Sequence, residues 1–376
     1  MKIRYLSQNH HGQNHMGMGH YERFLMRHLS SLAARAGMTF DLLYDGRRKR
    51  GGSNDCVGSC VKSRWLGSSS VRLAQLPWKF VRWVVRLREA LRPADLYHSL
   101  ALRFPPPAGR PFILTIHDLP PWRFDDEGTL PQWSRMAAQT AAGVVTPSEF
   151  GKREILELLQ VQDQKVHVIP NGCDHQKFHA DVLPTSPEEL RRMDIHTPFL
   201  LYAGGATRRK NVPSMLEAWK TVAHRFPEVS LLLAGPQEQL LALVKQAEAP
   251  RARALGYVPH EKLRCIMKAS EALIVPSIYE GFGLPPLEAM ALGVPVMAVN
   301  RTAIPEVVGE NAVLCRDGSE NELVEGMLTI LENNDLREEL RRSGPIRAQQ
   351  FTWERHAEQV LELYQMVLSK KKGSLN

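Results

Sequence analysis

Residues 273–300 read LIVPSIYEGFGLPPLEAMALGVPVMAVN, and this stretch decides the fold. A short apolar run gives way to a polar turn, a glycine-rich loop and an apolar helical segment, after which VPVMAVN is a second strand-like run. Strand, loop, helix and strand in about 30 residues make a βαβ unit, so the two strands lie parallel in one sheet. Two carboxylates fall in it, Glu280 in the loop and Glu288 on the helix, the second expected about two turns inside. Gly281 and Gly283 expose backbone N–H groups at the helix amino end, which suits an anionic or hydroxyl-rich ligand. A carboxylate pair here can grip sugar and ribose hydroxyls. The plainer alternative is that Glu280 caps the helix and Glu288 pairs with a cation.

The same alternation extends outward in both directions. From Thr197 it runs as FLLYAGG, a helix over Pro213 to Arg225, SLLLAGP, RALGYV and ALIVPS, which predicts one parallel sheet. An earlier series starts with a strand over Lys2 to Ser7, a turn HHGQNHMGMGH and a helix from near Tyr21, then continues as FDLLY, DLYHSL, FILTIHD, GVVTPS and KVHVIPNG. Between the series lies HADVLPTSPEELRRMDIHTP, polar and Pro-rich, which reads as an interdomain connection with a helical PEELRRM core. The expected division is therefore 1–185, 186–353, and a tail 354–376 packing back on the first domain. Val360, Leu361, Leu363, Tyr364, Val367 and Leu368 have the spacing of a docked helix. The fold class is α/β with two doubly wound parallel sheets, and ligands are expected in a cleft where the carboxyl ends of both strand sets meet.

Composition narrows the function classes. The 376 residues are 43% hydrophobic and 23% charged, which excludes global disorder and collagen-like repeats. No uncharged apolar run approaches the roughly 20 residues that span a bilayer, and MKIRYLSQNHHGQ lacks the apolar core of a signal peptide, so a cytoplasmic location is expected. Five cysteines are few and odd in number, so reduced thiols are expected, with Cys56 and Cys60 as loop residues. The net charge of +8 is uneven: residues 1–180 hold 25 Lys and Arg against 15 Asp and Glu. A basic first half suits an anionic partner there.

Two further glycine turns follow strands. Gly17-Met18-Gly19 lets backbone N–H groups approach an anion, or is simply a tight turn into a helix. Gly204-Gly205-Ala206-Thr207-Arg208-Arg209-Lys210-Asn211 places three adjacent cations at the carboxyl edge of a strand, where they can neutralise a diphosphate without metal. The basic, Gly/Ser-rich stretch Arg47 to Arg64 reads as a loop.

Four elements taken together, EGFGLPPLE as an E-x7-E pattern, the RRKN turn, VIPNGCD and TIHD, resemble glycosyltransferase family 4 over nearly the whole chain. The resemblance implies two Rossmann-like domains in the GT-B arrangement, transfer of a sugar from a nucleotide-sugar donor with retention of configuration, and no essential metal or other cofactor. It further implies that Arg209 and Lys210 bind the donor diphosphate beside Gly205. Glu280 and the amides of Phe282, Gly283 and Leu284 would hold the donor sugar, Glu288 the ribose, and the Val258 backbone the nucleobase. His117 matches the family's histidine beside the transferred sugar. The amino-terminal loop departs from the family's Gly-Gly-[apolar]-Gly element, since Met16 precedes Gly17-Met18-Gly19, which leaves the donor contacts of Gly17 and Gly19 open. His10, His11, His15 and His20 lie there at irregular spacing that fits substrate contact or solvation better than metal ligation. The doubled proline of GFGLPPLEAMA is frequent among mannosyltransferase-like members, making GDP-mannose the first donor expected and a UDP-sugar the second. A glycan, lipid-linked or small-molecule acceptor supplies the hydroxyl.

VRLAQLPWKFVRWVVRLREALR, residues 71–92, interleaves Trp78, Phe80 and Trp83 with Lys79, Arg82, Arg86, Arg88 and Arg92. It reads as a helix on the first sheet, and its basic aromatic face also suits an anionic membrane surface. Three rival functions stand beside transfer, one of them a noncatalytic scaffold that uses the cleft only to sense a nucleotide sugar. A GT-B sugar-nucleotide epimerase would share the architecture, and a nucleic-acid-binding protein would explain the basic half, although no helix-turn-helix, zinc finger or RNP pattern is present and nucleic acid is not an expected partner.

Overall fold

The computed structural model describes residues 1–7, 18–44, 61–65, 78–91 and 93–373. They divide into two compact units, residues 1–172 with 353–376, and residues 173–352.

The first unit carries strands β1 (Lys2–Ser7), β2 (Thr39–Tyr44), β3 (Val61–Trp65), β4 (Leu96–Ser99), β5 (Phe112–Thr115), β6 (Gly143–Thr146) and β7 (Val166–Val168). All pairings are parallel, in the order β3-β2-β1-β4-β5-β6-β7. The order reverses between β1 and β4, which is the topological switch point of a doubly wound sheet. Ile3 and Tyr5 face one apolar cluster, while Arg4, between them, points the other way and is 2% exposed. Its guanidinium pairs with Asp41 on β2 at 2.7 Å, in register across the ladder. Burial pushes the Asp41 carboxyl up, but the hydrogen bond and charge of Arg4 outweigh it and hold the group below its usual range.

The helix Trp353–Gly373 belongs to this unit. Trp353, Ala357, Val360, Leu363, Tyr364, Val367 and Leu368 repeat every three or four residues, and that stripe buries against Tyr21, Leu25 and Leu29 of the helix Met18–Arg35 and against β1.

The second unit carries β8 (Phe199–Ala203), β9 (Ser230–Ala234), β10 (Ala252–Gly256), β11 (Ala272–Val275), β12 (Val296–Val299) and β13 (Val313–Cys315). They form a parallel sheet in the order β10-β9-β8-β11-β12-β13, with its switch point between β8 and β11. Successive residues of β8 serve opposite faces: Phe199 and Leu201 enter one apolar cluster, Leu200 and Tyr202 the other. A sheet covered on both sides needs such continuous apolar strands.

Three expectations are corrected. The segment 179–198 does not link the units but lies within the second, where Leu190 and Ile195, at 2% and 1% exposure, are buried beside Phe199. Its polar composition concealed an apolar inner side, and the observed division falls at 172/173 and 352/353, not near 185. The stretch Arg47 to Arg64 is not wholly loop, because Val61–Trp65 pairs with β2 from Phe40↔Val61 to Tyr44↔Trp65. Gly19 does not sit in a turn, since the helix already begins at Met18. Gly17, Cys56, Cys60, His10, His11, His15 and residues 71–77 and 92 lie outside the described residues.

Candidate active site

The switch point of the second sheet explains how residues about 70 positions apart converge. Adjacent strands β8 and β11 deliver their following loops to the same carboxyl edge, one bearing Arg209 and Lys210 and the other Glu280. Lys210 Nζ donates to Glu280 Oε1 at 2.6 Å, and Arg209 Nη1 donates to Glu280 Oε2 at 3.2 Å and to the Tyr279 carbonyl at 3.2 Å. The three side chains are only 12–15% exposed. Burial alone would push the Glu280 carboxyl up, but the charges of Lys210 and Arg209, with hydrogen bonds from Lys210 and Ser277, prevail and lower it. Glu280 is thus a carboxylate held between two cations, and the triad carries a net positive charge.

The surrounding loops are locked to one another. Arg209 O accepts from the Ile278 N–H at 2.9 Å, and Asn211, in the left-handed region at φ +54°, donates from Nδ2 to Gly318 O at 2.8 Å. Tyr202 on β8 donates its hydroxyl to Gly205 O at 2.5 Å, and a Cβ at Gly204 would lie 2.6 Å from that hydroxyl. The close approach of Tyr202 accounts for the glycine at 204, whereas a Cβ at Gly205 would meet nothing within 4 Å. The Glu280 N–H donates to Thr302 Oγ1 at 3.0 Å. Thr302 itself adopts φ +58°, a conformation uncommon for a β-branched residue, and its own hydroxyl donates to Arg301 O at 2.8 Å.

Glu280 does not cap the following helix. The helix runs Leu284–Ala291 with Gly283 as its N-cap at φ +114°, so Glu288 lies about one turn inside and not two. The glycine loop stays irregular through Gly283, and Pro285 and Pro286 fix the first turn while bringing no N–H of their own. Gly283 and Leu284 follow Phe282 into this helix start, and the Phe282 ring packs edge-on to Phe351 at 5.8 Å. Glu288 Oε1 lies 3.6 Å from His260 Nε2, a partner that is cationic only when protonated. His260 opens the helix His260–Ala269, two residues after the half-buried Val258.

The structure brings Arg209, Lys210 and Glu280 into contact and sets Phe282, Gly283, Leu284 and Glu288 on one loop and helix. His117 stands in the first unit, just beyond β5. Its Nε2 is buried and finds no hydrogen-bond partner, and burial, followed by the proximity of His356, lowers its pKa to about 4. Thr302, Tyr202 and His260 were not foreseen, because no local motif marks them. Among the described residues, no group of three or more His, Cys, Asp or Glu side chains is arranged to hold a metal ion.

Comparison with known proteins places the chain in a family. Residues 22–177 match the model described as Glycosyltransferase Family 4, and residues 191–347 match Glycosyl transferases group 1. The chain is 31% identical over 235 residues to the O-antigen chain mannosyltransferase B of Escherichia coli, a match spanning 60% of each protein. It is 30% identical over 289 residues to the alpha-maltose-1-phosphate synthase of Mycolicibacterium smegmatis, covering 69% of this chain and 74% of that one. The chain belongs to glycosyltransferase family 4. The fold of this glycosyltransferase is GT-B: the sucrose-phosphate synthase structure from Thermosynechococcus elongatus superposes with a TM-score of 0.77 over 98% of this chain and 99% of that one, at 20% identity. The glycosyltransferase is nucleotide-sugar-dependent and transfers a sugar to an acceptor.

Proposed function

We propose that this glycosyltransferase is a retaining hexosyltransferase whose donor is GDP-mannose, acting on a hydroxyl of a glycan or lipid-linked acceptor. The observation that carries the proposal is the Arg209–Lys210–Glu280 triad beside the Gly283 helix start. Similarity to an O-antigen mannosyltransferase supports mannose as the sugar.

Breaking the sugar–phosphate bond leaves a diphosphate with added negative charge and an oxocarbenium-like sugar. Arg209 and Lys210 stabilise the leaving diphosphate, and the helix amino end adds its partial positive charge. Glu280 pairs with both cations, so a diphosphate takes over part of that pairing and releases carboxylate oxygens to sugar hydroxyls. Glu288, one turn further, accepts from the ribose hydroxyls, and the Val258 backbone meets the base. The acceptor hydroxyl attacks from the face the leaving group departs, and the leaving phosphate takes its proton, so no protein base is needed. His117 has a buried, unpartnered Nε2 that suits a sugar hydroxyl.

The protein acts in the cytoplasm, peripherally at an anionic membrane surface, through the helix Trp78–Leu91. Lys79, Arg82, Trp83 and Arg86 are exposed on it, Trp83 at 59%, while Val81 and Val85 are buried against Trp133 and Ala137. Among the described residues no helix is long and apolar enough to cross a membrane. Flotation with anionic vesicles but not zwitterionic ones is expected, and absence of flotation removes the membrane part of the proposal.

A thermal-shift panel of GDP, UDP and ADP with their sugar conjugates tests the donor, since a ligand that binds the native state raises Tm. A shift selective for GDP and GDP-mannose, lost in Lys210→Ala, is expected. A selective UDP shift reassigns the donor, and conversion of donor without any acceptor would indicate an epimerase.

A further inference from the structure

The first unit buries a polar network that the donor chemistry does not use. His98, His356, Tyr5, Tyr21, Tyr364 and Thr115 are each at most 2% exposed. Burial keeps both histidines neutral, and with neutral imidazoles every proton in the network can be assigned. The Pro170 carbonyl can only accept, so His356 Nδ1, 2.8 Å away, carries the proton. His356 Nε2 is then an acceptor and receives the Tyr21 hydroxyl at 3.3 Å. Tyr21, its proton spent, accepts from Thr115 Oγ1 at 3.3 Å, and Thr115 accepts from His98 Nε2 at 2.8 Å. His98 Nδ1 accepts from Tyr364 at 2.6 Å, and Tyr364 accepts from Tyr5 at 2.7 Å. The result is a one-way chain of hydrogen bonds from β1 through the C-terminal helix to the Pro170 carbonyl, with both tautomers fixed.

The chain touches His117 through Tyr21. The Tyr21 ring stands at 78° to the His117 imidazole with centroids 4.4 Å apart, and it is flanked by His356 at 5.2 Å and Trp353 at 5.8 Å. Thr115, which holds the Tyr21 hydroxyl, lies two residues before His117 on the same strand end. We propose that Tyr21 and His356 are positioning residues for His117: the C-terminal helix and β5 pin the Tyr21 hydroxyl from two sides, and the pinned ring holds the imidazole with Nε2 left for substrate. The inference rests on the reading of His117 as a sugar-side group.

The test compares two phenylalanine substitutions on one chain of bonds. Tyr21→Phe frees the ring that touches His117, whereas Tyr5→Phe loses a hydrogen bond at the far end. For Tyr21→Phe kcat falls about fivefold or more with the donor KM within about twofold, and Tyr5→Phe keeps kcat within about twofold. His356→Gln, whose amide reaches Tyr21 as Nε2 does, restores most of the rate lost in His356→Ala. Imidazole 15N spectra add a readout independent of turnover: His356 is the Nδ1–H tautomer, and the His117 signals move in Tyr21→Phe but not in Tyr5→Phe. Equal losses of kcat in the two phenylalanine variants, or an unmoved His117 spectrum, overturn the inference. A fully active His117→Ala removes the reading of His117 itself. Loss of activity in His117→Ala with a wild-type Tyr21→Phe removes only the positioning role.

Discussion

Each unit buries a polar cluster at the switch point of its sheet, and the two clusters are built on opposite principles. In the second unit Arg209, Lys210 and Glu280 are charged, held by loops after β8 and β11, and joined by short ion pairs that a competing anion can exchange. In the first, Tyr5 on β1 and His98 on β4 are register partners and begin a chain made only of neutral groups. A charged cluster with net positive charge is suited to a ligand that brings negative charge. A neutral, fully assigned chain has nothing to offer a diphosphate and serves to hold side chains in place. The difference separates a binding device from a scaffolding one.

Acid should break the neutral cluster first. His98, His117 and His356 have pKa values lowered to about 3, 4 and 4 by burial, from 6.5 unfolded. Below pH 6.5 the unfolded chain takes up protons that the folded one refuses, so stability is full above that value and falls as pH drops towards 4. The loss is up to about 1.4 kcal/mol per pH unit for each histidine. Denaturant midpoints at pH 7, 5.5 and 4.5 check this, with a shallower fall expected in His356→Gln. A flat profile would mean that the cluster admits charge, and the contrast with the second unit would dissolve.

Gly283→Ala attacks the charged site through its backbone. The residue sits at φ +114°, and a Cβ would lie 2.9 Å from Ile304 Cδ1, so a loss of about 1–3 kcal/mol is expected in urea unfolding, together with a weaker donor-induced rise in Tm. Lys210→Ala and Glu280→Ala should each lower turnover at least about tenfold, or about 1.4 kcal/mol in transition-state stabilisation, measured as initial rates with the donor selected by thermal shift. Near-wild-type rates in both would refute the assignment of the ion-paired triad. The smallest effect on stability should come from Arg82→Glu with Arg86→Glu on the exposed helix face. Unfolding is expected to stay within about 0.5 kcal/mol while flotation on anionic vesicles is lost.

Much of the second unit was legible because its signals are local. The glycines, prolines and carboxylates of residues 280–288 and the cations of 208–210 stand close together in the chain and carry their own turn chemistry. The hydroxyl of Thr302 on the Glu280 amide was not legible, because it comes from the loop after another strand and no spacing rule connects the two. Leu190 and Ile195 were misjudged for a related reason: two apolar residues in a polar, Pro-rich segment do not announce a buried side until the sheet is there to receive them.

The sequence by itself determined the strand and helix periods, the parallel pairing that βαβ spacing forces, and the loop that carries Glu280 and its glycines. Only the tertiary structure decided which loops meet. Tyr5 and Tyr364 are 359 positions apart and share a hydrogen bond at 2.7 Å because the last helix docks beside the first strand. Arg209 and Lys210 reach Glu280 because β8 and β11 are neighbours in space but not in order. Local preferences act over a few residues, whereas strand order is fixed by burial of both sheet faces, and it is strand order that brings charge to one edge.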